Sequence, residues 1–254
     1  MSKPNIYFIF LLLLISIVSI CCIDTYIVYE TFEQNLDIQI VVARYNENLN
    51  WLKDEPFRSH PAIIYNKGDN TDFYSPPNNS KHIQLPNVGR EGHTYLFHII
   101  QNYDHLPEIT VFLPGSANTK NKYNPALEMF SKIQETGNTH FVYDTDTDVY
   151  TQFKDFQIEK YSATHSANAS KNPNQQLEKC EFRPFGVWFQ KRFGNIQVKK
   201  MSYGGIMAIH KKHILQHPKS HYEELIKELE VAENTEVGHY FERAWAAVFH
   251  PIDW

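Results

Sequence analysis

The stretch NVGREGHTYLFHIIQNYDHLPEITVFLPGS, residues 87–116, decides the fold class. In its middle, Leu96, Ile99, Ile100 and Tyr103 fall at i, i+3, i+4 and i+7, one face of a helix. Asp104 to Pro107 end that helix. The run EITVFLPGS, residues 108–116, then stays apolar without alternation and closes on a Pro-Gly turn. Such a run suits a strand covered on both faces. A helix feeding a doubly buried strand is half of an α/β repeat, and the same pattern recurs on both sides.

Toward the N-terminus, IQIVVARY (38–45) and AIIYNKGDN (62–70) read as two more buried strands ending in polar turns. Residues 45–52 form a loop into a short helix, and 71–81 read as loop. Toward the C-terminus, NPALEMFSKIQ (124–134) is a helix with Pro125 near its first turn. THFVYDTDTD (139–148) is a short strand running into an acidic loop. YGGIMAIHKKHI (203–214) is a strand after two glycines, then a turn into helix. Residues 220–231 read as helix. Residues 237–249 form the clearest one, with Val237, Tyr240, Phe241, Ala244, Trp245 and Val248 as an apolar stripe. Residues 162–176 are of low complexity and read as a surface loop. Strands alternating with helices predict an α/β fold, a mostly parallel central sheet flanked by helices, in one domain over 38–254.

The 254 residues, 42% hydrophobic, suffice for one substantial core. A net charge of -5 argues against nucleic acid as a partner. Thirteen histidines show no metal-ligand spacing. Cys21 and Cys22 sit in an apolar leader and Cys180 stands alone, so neither an internal disulfide framework nor a Cys-x-x-Cys zinc site is available.

That leader, residues 6–23, is apolar apart from two serines. Its length as a helix, roughly 27 Å, approaches a bilayer core of ~30 Å. Lys3 precedes it, while Asp24, Glu30, Glu33 and Asp37 follow. The positive-inside rule then predicts a single-pass type II membrane protein: a cytosolic tip and N-terminal transmembrane signal anchor (1–23), a stalk (24–37), and a lumenal or extracellular domain. The competing reading is a cleaved signal peptide. The run is longer than the usual h-region, and no Ala-x-Ala site follows. Glycosylation sequons at Asn78 and Asn168 fit a lumenal domain.

Parallel sheets bind ligands beyond the carboxyl ends of their strands. The polar groups expected there are Arg44, Tyr45, Asn46 and Glu47; Asn66, Lys67, Gly68 and Asp69; Gly115 and Ser116; and Asp144, Asp146 and Asp148. Gly89-Arg90-Glu91-Gly92 opens a helix. Its free N–H groups suit an anion, Arg90 suits a bidentate phosphate contact, and Glu91 suits a sugar hydroxyl or a base role. The plainer reading is a turn whose acid suits the helix dipole. His93 and His98 lie about 140° apart around the helix and share no ligand face. Asp144 and Asp146 are spaced to hold Mn2+ or Mg2+ against a diphosphate, or simply to cap a turn. Glu242 and Arg243 fall off the apolar stripe of their helix, where solvation is the default. His239 and Arg243, at i and i+4, share a surface.

Five pieces together carry a family resemblance: VVARYNENLNWL, IIYNKG, the 87–116 stretch, YGGIMAIHKKHI and GHYFERAW. They resemble the domain of unknown function 3431, found in large DNA viruses, fungi and algae. Their order is similar to that of GT-A glycosyltransferases. That resemblance implies a nucleotide-sugar over Arg44, Tyr45, Asn46 and Glu47 and over Asn66, Lys67 and Asp69. It implies phosphate at Gly89 and Arg90, and an acceptor side built from Gly204, Gly205, Glu242 and Arg243. Glu91 or Glu242 is then the catalytic base, and a carbohydrate or glycoprotein is the acceptor. The strand that should deliver a metal-binding Asp-x-Asp ends instead in Pro114-Gly115-Ser116. Either no metal is needed, or Asp144 and Asp146 supply it, or catalysis is lost. The alternative is therefore an inactive carbohydrate-binding or viral membrane scaffold protein on the same fold. Paired carboxylates would also serve a hydrolase.

Overall fold

A computed structural model of the chain describes residues 36–76, 80–159 and 177–254. Strand β1 (Ile38–Arg44) lies between β2 (Ala62–Asn66) and β4 (Ile109–Pro114), and all three run parallel. The parallel strand β3 (Ser80–Gln84) forms one edge beside β2. On the other side, β8 (Met207–His210) runs antiparallel to β4 and carries β5 (His140–Phe141). The order is β3-β2-β1-β4-β8-β5, a mostly parallel six-stranded sheet. A separate antiparallel pair joins β6 (Tyr143–Asp144) to β7 (Lys200–Met201).

The unbroken apolar runs follow from burial on both faces. Val41, Ile63, Tyr65 and Phe112 point into one cluster. They meet Leu96 and Ile99 of α1 (Arg90–Asn102) and Phe241 and Trp245 of α7 (Glu236–Val248). Ile40, Val42, Ile64, Val111 and Leu113 point into the other, against Ala126, Met129, Phe130 and Ile133 of α2 (Lys120–Thr136). Helices α3 (Val149–Phe153), α4 (Phe185–Phe193), α5 (Lys211–Leu215) and α6 (Lys219–Ile226) complete the set among the described residues. Cys180 is buried, and burial pushes its thiol up to about 11, so it packs rather than reacts.

Several expectations need correction. The end of the expected 71–81 loop already belongs to β3, an edge strand whose Lys81, His82 and Gln84 are exposed, so no apolar run marks it. Helix α2 starts at Lys120, which puts Pro125 inside it, in the second turn. Helix α6 stops at Ile226 instead of reaching 231, and Leu229 turns inward, fully buried. Helix α4 had no counterpart in the sequence reading. The apolar segment 6–23, the stalk up to residue 35, the acceptor asparagines of both sequons and the whole 162–176 loop lie outside the described residues. Among the described residues no helix is long and apolar enough to cross a membrane.

Trp245 ties α7 to α1, with ring centroids 6.0 Å from Tyr95, 5.2 Å from Phe241 and 5.9 Å from Phe249. Trp245→Ala should lower unfolding free energy by about 3–5 kcal/mol, read by chemical denaturation.

Candidate functional site

The chain leaves β1 toward β2 and β3 on one side, then returns to β4 on the other. The order reverses beyond the carboxyl ends of β1 and β4, where the two turns close on a junction and Trp51 Nε1 donates to the Gly115 carbonyl at 3.1 Å. The Glu47 carboxylate folds back into it, accepting from the Tyr45 and Asn46 amides at 2.7 and 3.1 Å. Gly115 faces it, and a Cβ there would stand 2.8 Å from Glu47 Oε2. Arg44 Nε donates to the Glu47 carbonyl at 2.8 Å. Its NH1 donates to Asn66 Oδ1 at 2.5 Å and to the Asn70 carbonyl at 2.7 Å. The guanidinium lies 4.0 Å from the centre of the Phe73 ring. Gly68 passes so close that a Cβ would meet the Tyr45 carbonyl at 1.8 Å. Arg44, Glu47 and Asn66 are thus buried struts that lock the two turns together. Beside them lies an open cleft of about 350 Å³, lined by Arg44, Asn46, Glu47, Asn70, Phe73 and Tyr74 among others. Tyr45 is half-buried and Asp69 exposed at its margin.

The start of α1 is strained. Gly89 (φ 60) and Arg90 (φ 51) are both left-handed, a conformation that non-glycine residues rarely hold outside functional sites. A Cβ on Gly89 would strike the Leu229 carbonyl at 2.4 Å. Lys67 holds this turn from below, its Nζ donating to the carbonyls of Val88 and Arg90, each at 2.5 Å. Burial lowers its ammonium to about 7. Lys67 was expected on the ligand. It is instead buried at 8% exposure, supporting the Arg90 turn.

That turn delivers Glu91 to Glu242. The two carboxyl groups converge on the Arg90 guanidinium, and each acts on the protonation of the other. Arg90 Nε lies 3.7 Å from Glu91 Oε2 and its NH2 3.8 Å from Glu242 Oε1. The side chains keep 17% and 10% of their surface, so the pair is reachable from solvent. Arg90 NH1 also meets His239 Nε2 at 3.3 Å. Gly204 and Gly205, with φ of 78 and 77, pass between Lys122 and Glu91. A Cβ on Gly204 would meet Lys122 Cε at 3.3 Å, and one on Gly205 would meet Glu91 Cγ at 3.0 Å. Tyr95 OH donates to the Gly205 carbonyl at 2.7 Å and fixes that turn.

The two acids diverge in strength. Burial alone would raise Glu91, but Arg90 and then Lys122 hold its carboxyl well below the usual range. Burial first, and the Glu91 charge second, push Glu242 up to about 7. The pair therefore carries one proton until near neutrality. From their helix position alone, Glu242 and Arg243 could face a cleft or only water, with solvation the default. Both are buried, because β7, α4 and α1 close around every side of α7. Arg243 stacks 3.6 Å from the centre of Phe156 and donates to the His239 carbonyl at 2.7 Å. Burial, and next Arg90, depress His239 to about 3, so it stays neutral.

The family model described as "Protein of unknown function (DUF3431)" matches residues 40–252. The chain belongs to this family. No curated protein matches it. Every residue of the DUF3431 site just described, from Arg44 to Arg243, lies inside the match.

Not all expected residues join the DUF3431 site. Asp144 is exposed and ion-paired with Lys200 between β6 and β7. Asp146 is exposed, and Asp148 Oδ1 caps α3 by accepting from the Thr151 amide at 3.0 Å. Among the described residues, no three His, Cys, Asp or Glu side chains gather as metal ligands. Lys200 and the α3 cap thus engage two of the three carboxylates of the 144–148 loop. His93 and His98 are core groups, and His98 Nδ1 meets Tyr65 OH at 3.0 Å. Sequence reading missed Lys122, Tyr95 and His239. Tyr95, four residues after Glu91 on one helix face, carried a visible signal. His239 carried one too, three residues before Glu242. Lys122 carried none, because α2 begins earlier than its apolar spacing.

A carboxyl raised to about 7 from an ordinary 4.5 stabilises the fold while protonated, an effect lost as pH rises through about 7. Glu242→Gln removes that loss. The variant should match wild type near pH 5 and exceed it by about 1–3 kcal/mol at pH 8–9, measured by denaturant titration.

Proposed function

We propose that this DUF3431 protein is a membrane-anchored glycosyltransferase of GT-A type, moving a sugar from a nucleotide-sugar to an acceptor hydroxyl. The observation that carries the reading is the convergence of Glu91 and Glu242 on one Arg90 guanidinium, where burial and the Glu91 charge raise the Glu242 carboxyl. A base poised near the working pH is what deprotonation of a hydroxyl requires. The nucleotide-sugar lies in the cleft beside Arg44 and Asn46. Its diphosphate extends toward Arg90. The acceptor oxygen attacks the anomeric carbon while its proton passes to Glu242. The bond from the anomeric carbon to the diphosphate breaks, and its electron pair leaves with the diphosphate, whose charge Arg90 meets. Glu91 remains ionised, keeps Glu242 weakly acidic and holds Arg90 in place. The apolar segment 6–23 anchors the domain on the lumenal or extracellular side.

Hydrolysis fits less well, because one Arg90 guanidinium bridges both carboxyls, whereas glycosidases hold theirs ~5–5.5 Å or ~6.5–9.5 Å apart to admit the sugar and water. One observation favours a second reading, a carbohydrate-binding or scaffold protein without turnover: β4 ends in Gly115 and Ser116 with no carboxylate.

Thermal unfolding with UDP-, GDP- and CMP-sugars, in EDTA and in Mn2+, tests the proposal. A true donor at a hundredfold excess over Kd should add about 2.7 kcal/mol. Glu242→Gln should keep that binding and lose about 10²–10⁴-fold in kcat. No response to any sugar nucleotide sinks donor binding. Binding without turnover in wild type supports the scaffold reading.

A further inference from the structure

In the glycosyl-transfer reading a positive charge must answer the diphosphate, and of the acidic donors expected for a cation, Asp144 is already ion-paired with Lys200. At the end of β4, where a metal-binding carboxylate would stand, the chain has Ser116, and an amine reaches it. Lys122 lies in the first turn of α2 and turns back toward the sheet, its Nζ donating to Ser116 Oγ at 3.0 Å. Ser116 is 8% exposed, so this contact is set into the junction. The Lys122 stem runs along Gly204, which has no Cβ to block it. Its charge acts on Glu91, as does that of Arg90, so both cations border the same carboxylate. An ammonium carries three N–H donors. Among the described residues Lys122 makes one hydrogen bond, to Ser116, which leaves two donors for an incoming oxygen.

We infer that Lys122, steadied by Ser116, forms with Arg90 a metal-free binding site for a diphosphate. It takes the place that a cation coordinated after β4 would hold. The identity of the ligand as part of a sugar nucleotide rests on the glycosyl-transfer reading, whereas the anion site does not. Isothermal titration of the full-length chain with inorganic pyrophosphate in EDTA tests it. Wild type should bind. Lys122→Met should weaken binding at least about tenfold, the loss expected for one charge-assisted hydrogen bond. Lys122→Gln keeps a donor for Ser116 without the charge and should weaken binding similarly, while Lys122→Arg should stay within about threefold of wild type. Circular dichroism melting identifies the variants that remain folded. Absence of binding by wild type in EDTA overturns the inference, as does unaltered binding by folded Lys122→Met or Lys122→Gln. Pyrophosphate binding that depends on Lys122 supports it even if no sugar nucleotide binds, an outcome that removes only the donor reading. Sugar-nucleotide binding that requires Mn2+ overturns it and leaves the donor reading in place.

Discussion

Glu91 and Glu242 come from the first and last long helices, and their carboxyl groups converge on the Arg90 guanidinium. Two buried carboxylates on one guanidinium cannot both ionise without cost. Everything around them works to hold them there. The left-handed Gly89-Arg90 turn, supported by Lys67, sets the first acid. The full enclosure of α7 by β7, α4 and α1 sets the second. Gly205, at positive φ and pinned by Tyr95, brings backbone into tight contact with the first acid, and Gly204 does the same for Lys122. Strain, buried charge and a repulsive pair at one place are features that a purely structural helix contact would not need.

The turns after β1 and β4 meet through Trp51 and Gly115, and the cleft opens instead beside the turns after β1 and β2, lined by Asn46, Asn70, Phe73 and Tyr74. Arg44, Glu47 and Asn66 brace the walls from inside. Their buried bonding makes them frame rather than direct ligands, a distinction that spacing along the chain cannot make. The open surface of the cleft falls to half-buried neighbours such as Asn46, Phe73 and Tyr74.

The sheet was largely legible because its central strands are covered on both faces, so β1, β2 and β4 read as unbroken apolar runs. Edge strand β3 was invisible for the opposite reason: exposed Lys81 and His82 carry no pattern. Helix periodicity found the stripe of α7 but implied that its remaining faces were wet. Tertiary enclosure overrode that, and so Glu242 and Arg243 moved from solvent into the core. Glu91 was visible as a helix-start acid. Its partnership with Glu242, between residues far apart in the chain, was not, because nothing local encodes it. The Asp144–Asp148 run drew attention by spacing alone, and Lys200 and the α3 cap account for two of its three carboxylates.

The central claim is that one proton is shared between Glu91 and Glu242 up to near-neutral pH. Carbon-13 NMR titration of the glutamate side-chain carboxyls reads it directly. The account predicts one glutamate resonance that titrates near pH 7 and that moves down toward the ordinary range, roughly 4.3, in Glu91→Gln. If Glu242 titrates within about one unit of that ordinary value in the wild-type protein, the pair does not exist as described.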